Sequence, residues 1–214
     1  MSSLQLHFLN ARGAFAGLRD WIQICLTETH HKAIQLMPLQ SLDVVISTGK
    51  RVINEKGHLG YAPGPGTVFV TVDPDSPALR VNADASLERM FAHELHHAAR
   101  WDGPGYGASL GEALVSEGLA GHFAREVCGD VPEPWEQLPE DEVLRHAGRA
   151  KQEWNQTNYN HGEWFFGSGD LPRWLGYSMG SRIIERFLAQ YPNQTASRLV
   201  DADVGEFRAS LEML

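Results

Sequence analysis

Apolar residues return at helical spacing from residue 8 to about 37, through Phe15, Leu18, Trp21, Ile22, Cys25 and Leu26, and the pattern stops at Pro38. This spacing predicts one long helix. Two short runs with a period of two follow, LDVVIST at 42–48 and TVFVTVD at 67–73, with the turn-forming YAPGPG between them. In the second run Val68, Val70 and Val72 alternate with Thr67, Phe69 and Thr71, which suits a strand with two unlike faces. From residue 84 onward helical spacing dominates, over about 84–101, 109–128, 138–155, 172–190 and 203–213. The breaks hold Gly103 to Gly107, Pro132 to Pro139, and the aromatic loop NYNHGEWFFGSGDLP. A small sheet followed by a helical half is an α+β arrangement. No repeat or shift of composition marks a boundary, so residues 1–214 read as one domain, with the long helix and small sheet in 1–83 and the helical part in 84–214.

Composition narrows the function classes. The chain has 214 residues, 43% of them hydrophobic, and six Trp, as expected of a folded globular protein. Lys and Arg total 18 against 27 Asp and Glu, a formal charge of −9, and no basic cluster could follow a phosphate backbone, so nucleic acid is not an expected partner. The two cysteines, Cys25 and Cys128, stand far apart with no CxxC spacing; they read as buried reduced thiols. The first residues carry no basic n-region, and Asn10, Arg12 and Arg19 interrupt their apolar run. Neither a signal peptide nor a membrane span is read there, and a cytoplasmic location without a membrane partner is the expectation.

The chemistry concentrates in FAHELHHAARW, residues 91–101, where three histidines and a glutamate fall within five positions. Residues four apart share a helix face, so His93 and His97 can both aim an imidazole at one ion. With Leu87, Met90, Phe91, Ala98 and Trp101 as the buried stripe, and about 100° of turn per residue, Glu94 falls within the stripe and His93 and His97 along its flank. His96 then faces the opposite side, where it is expected to be solvated. His93-Glu94-x-x-His97 is the HExxH pattern, in which two imidazoles bind Zn²⁺ and the glutamate serves as general base toward a metal-bound water. A chance HExxH on a surface helix is the competing explanation.

A third ligand must come from elsewhere, and the helix SLGEALVSEGLAGHFAREVCG offers Glu112 and Glu117. Its apolar stripe runs Leu110, Ala113, Leu114, Ala120, Gly121, Ala124, Val127 and Cys128 with Glu117 at its centre, where a carboxylate needs a cation or a full set of hydrogen bonds. Ser109-x-x-Glu112 is a capping box, which accounts for Glu112 without a metal. Glu117 is therefore favoured over Glu112. Gly118 and Gly121 beside it would let the two helices approach closely. His122 reads as supporting or exposed. His30 and His31, adjacent on the first helix, diverge by about 100° and do not converge on a second ion.

These residues resemble the gluzincin metallopeptidases, which pair HExxH with a downstream glutamate; SEGLA is similar to the NEGFA of their aminopeptidase branch. More specifically, HELHH followed by LGEALVSEGLAGHFA and LPRWLGYSMG resembles a bacterial family of predicted zinc-dependent proteases, formerly a domain of unknown function, over roughly residues 85–190. The resemblance implies a zincin-like fold, a small mixed sheet packed on the active-site helix, one Zn²⁺ per chain, and hydrolysis of a peptide or protein substrate. In such folds the sheet's edge strand lies beside the metal and takes up the substrate main chain; TVFVTVD is the strand expected there, with a purely structural role as the alternative. Such chemistry also needs a donor to the oxyanion. Tyr177, in LGYSMG, matches a GY segment of the resembled family, and a tyrosine serves this role in related gluzincins; a core tyrosine is the alternative. His161, in the loop YNHGEWFFG, is the second possible donor.

Two readings of function remain. The first is a zinc metallopeptidase with His93, His97 and Glu117 as ligands and Glu94 as base. The second keeps the zinc but assigns a binding or regulatory role, with the aromatic loop around Trp164 to Phe166 meeting a partner. Glu94 favours the first, because a structural zinc site needs four protein ligands and no base. No GxMEN-type anchor for a substrate amino terminus precedes the metal helix, which argues mildly against the aminopeptidase mode.

Overall fold

A computed structural model describes residues 2–214. The protein is α+β, a mixed four-stranded sheet with a mainly helical remainder. The chain divides into two compact units, one of residues 1–102 and 124–131 and one of 103–123 and 132–214.

In the first unit β1 (Leu4–Phe8), α1 (Arg19–Leu36), β2 (Leu42–Thr48), β3 (His58–Gly64), β4 (Thr67–Val72), the short α2 (Pro77–Val81) and α3 (Ser86–Arg100) follow in order. The sheet order is β1-β2-β4-β3. β1, β2 and β4 run parallel, with Leu6 opposite Val44 and Val44 opposite Val68, and β3 closes the sheet antiparallel to β4. Val44, Ile46, Val68, Val70 and Val72 are fully buried on one face, whereas Tyr61 and Phe69 lie exposed on the other. The valine alternation read from TVFVTVD is thus the division between these faces.

Four expectations need correction. The first helix begins at Arg19, not near residue 8: Gly13 and Gly17 take left-handed φ of 70° and 72°, and Phe15 and Leu18 enter the core from turns. YAPGPG is not all turn, since Tyr61–Gly64 belongs to β3. Only Pro65 and Gly66 (φ 72°) connect the strands, and a break in register between Tyr61 and Gly64 accommodates Pro63. β4 is an interior strand, so the sheet's edge on the α3 side is β3. His96 is fully buried rather than solvated. A helix covered on one side would leave that position open, but α3 packs against α1 as well as β3 and β4, and only its Glu88 and His93 escape burial.

The second unit contains a 3₁₀ turn at Pro134–Glu136, α5 (Glu140–Glu153), α6 (His161–Phe166), α7 (Leu175–Gln190) and α8 (Arg208–Glu212). α4 (Leu110–Cys128) gives its first fourteen residues to this unit and its last five to the other. α4 and α7 meet backbone to backbone: a Cβ on Gly118 would lie 2.4 Å from the Gly180 carbonyl oxygen, and one on Gly180 would lie 2.2 Å from that of Leu114. Gly118 therefore makes room for α7, and Gly121 for the Glu136 side chain. Cys25 and Cys128 are both free thiols, but only Cys25 is buried; burial first, then Glu88, pushes its thiol up to about 12. No helix among the described residues is long and apolar enough to cross a membrane.

Candidate active site

The chain enters α3 through three residues in the left-handed region, Asn82 (φ 45°), Asp84 (φ 54°) and Ala85 (φ 53°), a conformation side chains seldom adopt. Asn82 holds this entry, its Oδ1 accepting from the Leu87 amide at 2.8 Å and its Nδ2 donating to Glu88 at 2.8 Å, while the buried Arg89 donates to the Asp84 carbonyl. After the other end of α3, the Trp101 indole donates to the Ala62 carbonyl of β3 at 3.0 Å. A helix fixed at both ends carries His93 and His97 on one flank, their Nε2 atoms 3.0 Å apart and their rings nearly perpendicular. Two imidazole nitrogens on one tetrahedral Zn²⁺, at 2.0–2.1 Å each, stand roughly 3.3 Å apart, close to the spacing found. Glu94, next in the chain to His93, is buried, its side chain lying against Gly60 of β3.

In the second unit Ser109 and Glu112 form the capping box read from the sequence: Glu112 Oε2 accepts from the Ala108 and Ser109 amides and from Ser109 Oγ, while the Glu112 amide donates to Ser109 Oγ. Glu117 is buried, and the Tyr106 hydroxyl donates to its Oε1 at 2.8 Å. Around them stand Tyr159, His161 and Tyr177. Tyr159 Oη lies 3.1 Å from His161 Nδ1, and the Tyr106 ring meets the His161 ring edge-on at 6.3 Å. Phe165 holds both oxyanion candidates, with His161 stacked on its ring at 4.4 Å and Tyr177 edge-on at 5.0 Å; Gly176 leaves the space this ring fills.

Burial, then the negative Glu117, pushes the Tyr106 hydroxyl well up, and the same causes bring Tyr159 to about 12. Burial lowers His161, with Glu117 opposing it.

His93, His97 and Glu117 together could hold a metal ion: each offers one ligand atom, and these atoms all lie within 4.8 Å of one another. Two neutral imidazoles and a carboxylate are a donor set that Zn²⁺ accepts and that leaves a fourth position open. His122 faces elsewhere, its Nε2 3.0 Å from the Ser181 carbonyl oxygen. His30 is buried with Nε2 3.1 Å from Ser2 Oγ, beside an exposed His31, on a cavity of about 390 Å³ between β1 and α1.

Sequence reasoning missed Tyr106 and Tyr159. The signal for Tyr106 was its setting between Gly105 and Gly107, both with left-handed φ (77° and 88°), a turn built to direct one side chain. It also missed α6, which Asn160 caps by accepting the Glu163 amide and which Arg149 pins by a two-pronged contact with Glu163.

His93 and His97 of α3 and Glu117 of α4 are thus a group of side chains able to hold a metal ion in an α+β protein. Residues 22–208 match the family described as predicted Zn-dependent protease (DUF2268), and the chain belongs to that family. It is also similar to the uncharacterized protein YjfC of Bacillus subtilis (strain 168), 28% identical over 153 residues, a match covering 64% of this chain and 50% of YjfC. The chain thus spans about half the length of this curated relative.

Proposed function

We propose that residues 1–214 act as one zincin-like metallopeptidase domain of gluzincin type, holding one Zn²⁺ on His93, His97 and Glu117 and hydrolysing peptide bonds with Glu94 as general base. The observation that carries this reading is the convergence of two imidazoles and one carboxylate, with a second buried carboxylate adjacent in sequence to the first histidine. When bound, Zn²⁺ supplies Lewis acidity and lowers the pKa of a water toward about 7. Glu94 accepts the proton of the attacking water and returns it to the departing amine. Tyr177 donates to the oxyanion that forms on the scissile carbonyl, with His161, held by the same phenylalanine, as the second donor. β3, at the sheet's edge, is where an extended peptide or protein substrate adds its main chain. The expected location is cytoplasmic, and no nucleic-acid or membrane partner is assigned.

The test is metal analysis of protein purified without chelator, followed by a peptide-library digest with wild type and Glu94→Gln. We expect about one zinc per chain in both proteins, with cleavage lost in the variant, because an amide matches the shape but cannot take the proton. Zinc in both with cleavage in neither would instead support the binding-protein reading. Cleavage by Glu94→Gln at the wild-type rate would remove Glu94 as base.

A further inference from the structure

We infer that Tyr106 is a positioning residue for the metal site, fixing the carboxylate of Glu117 in the orientation that meets the ion; this rests on Glu117 being the third ligand. A glutamate can rotate its carboxylate about the last side-chain bond, and a ligand free to rotate must lose that freedom on binding. The Tyr106 hydroxyl, donating to Oε1 at 2.8 Å, fixes that rotation beforehand. The arrangement is built by the loop as well as by the side chain. Gly105 and Gly107 take left-handed φ of 77° and 88°, a backbone path that other residues seldom follow. A Cβ on Gly107 would lie 2.2 Å from that of Glu112. Glu112 in turn accepts from the amides of Ala108 and Ser109, so the capping box of α4 also clamps the end of the loop that carries Tyr106. The His161 ring packs edge-on to the Tyr106 ring. The tyrosine is thereby held from the loop and from α6, and its hydroxyl meets a helix residue eleven positions on.

The test is a double-mutant cycle on zinc affinity, measured by chelator competition where binding is tight and by direct titration where it is weak, with melting of the metal-free proteins recorded alongside. Tyr106→Phe should bind Zn²⁺ roughly tenfold to a hundredfold more weakly than wild type. In the Glu117→Gln background the same substitution should change affinity by no more than about twofold, since its effect passes through the carboxylate. An equal loss in both backgrounds would mean that Tyr106 acts on the fold generally and overturns the inference. Unchanged affinity in Tyr106→Phe alone, beside a clear loss in Glu117→Gln, would overturn it while leaving Glu117 as ligand. Unchanged affinity in Glu117→Gln would remove the ligand assignment itself, and this inference with it.

Discussion

Gly60 of β3 lies directly against the side chain of Glu94: a Cβ at position 60 would meet Glu94 Cγ at 2.4 Å and its Oε1 at 2.8 Å, and Met90 Sδ at 2.4 Å. Gly60 pairs with Val70 in ordinary extended register, so a glycine is needed for space and not for an unusual φ. Gly60→Ala must therefore displace Glu94, the proposed base. Because a shift of about 1 Å at a reacting group can cost up to about a hundredfold, this variant should lose roughly tenfold to a hundredfold in kcat while keeping its zinc. Peptide hydrolysis measured beside elemental analysis checks this, and wild-type turnover would show that the Glu94 position is not set by β3.

The regular elements were the legible ones. β2 and β4 announced themselves by alternation, and α3 and α4 by apolar stripes along helices of 15 and 19 residues, long enough for the period to be unambiguous. β3 was not legible, because Gly60, Pro63 and Gly64 carry the chemistry of a turn; only pairing with β4 makes them a strand. α6 was hidden by its six-residue length and its aromatic content, and it depends on Arg149 from α5. Periodicity separated Glu117 from Glu112, since burial against capping is a local distinction. It could not find Tyr106, whose partner is set by where a glycine-flanked loop turns, nor foresee that α1 packs on α3 or that His96 is fully buried.

The three histidines of α3 should part ways on substitution. His93→Ala and His97→Ala should lose the zinc, because their Nε2 atoms are the pair that converges. His96→Ala should keep one zinc per folded chain but melt lower, since it empties a fully buried site. Elemental analysis with a melting curve separates these effects. Equal zinc loss in all three variants would mean that the metal-facing flank of the helix is misassigned.

The two glutamates of α4 should differ in the same way. Glu117→Ala should lower zinc affinity sharply, leaving two imidazoles as ligands. Glu112→Ala removes an acceptor of three hydrogen bonds at the start of α4 and should cost on the order of 1 kcal/mol of stability, with a far smaller change in affinity. Chelator competition and denaturant unfolding on both variants decide it. The reverse ordering of affinities would transfer the third-ligand role to Glu112.

Tyr177 carries the most exposed prediction. It sits half-buried on α7, packed edge-on to Phe165 at 5.0 Å and 6.5 Å from the Trp135 ring, so its ring is held by aromatic contacts that a phenylalanine would keep. In the proposed mechanism it is the hydroxyl, not the ring, that acts. A hydrogen bond to an oxyanion strengthens mainly in the transition state, so Tyr177→Phe should lower kcat by roughly tenfold to a thousandfold with little change in KM. Zinc content and melting temperature should stay near those of wild type. A tyrosine that merely filled the core would give the opposite pattern: losing a bonded hydroxyl would lower stability, while turnover per folded molecule would hold. If kcat is unchanged in Tyr177→Phe, the same measurements on His161→Ala follow, because His161, stacked on the same Phe165, is the other proposed donor. A fall in kcat there, with Tyr177→Phe unaffected, would assign the oxyanion contact to the imidazole.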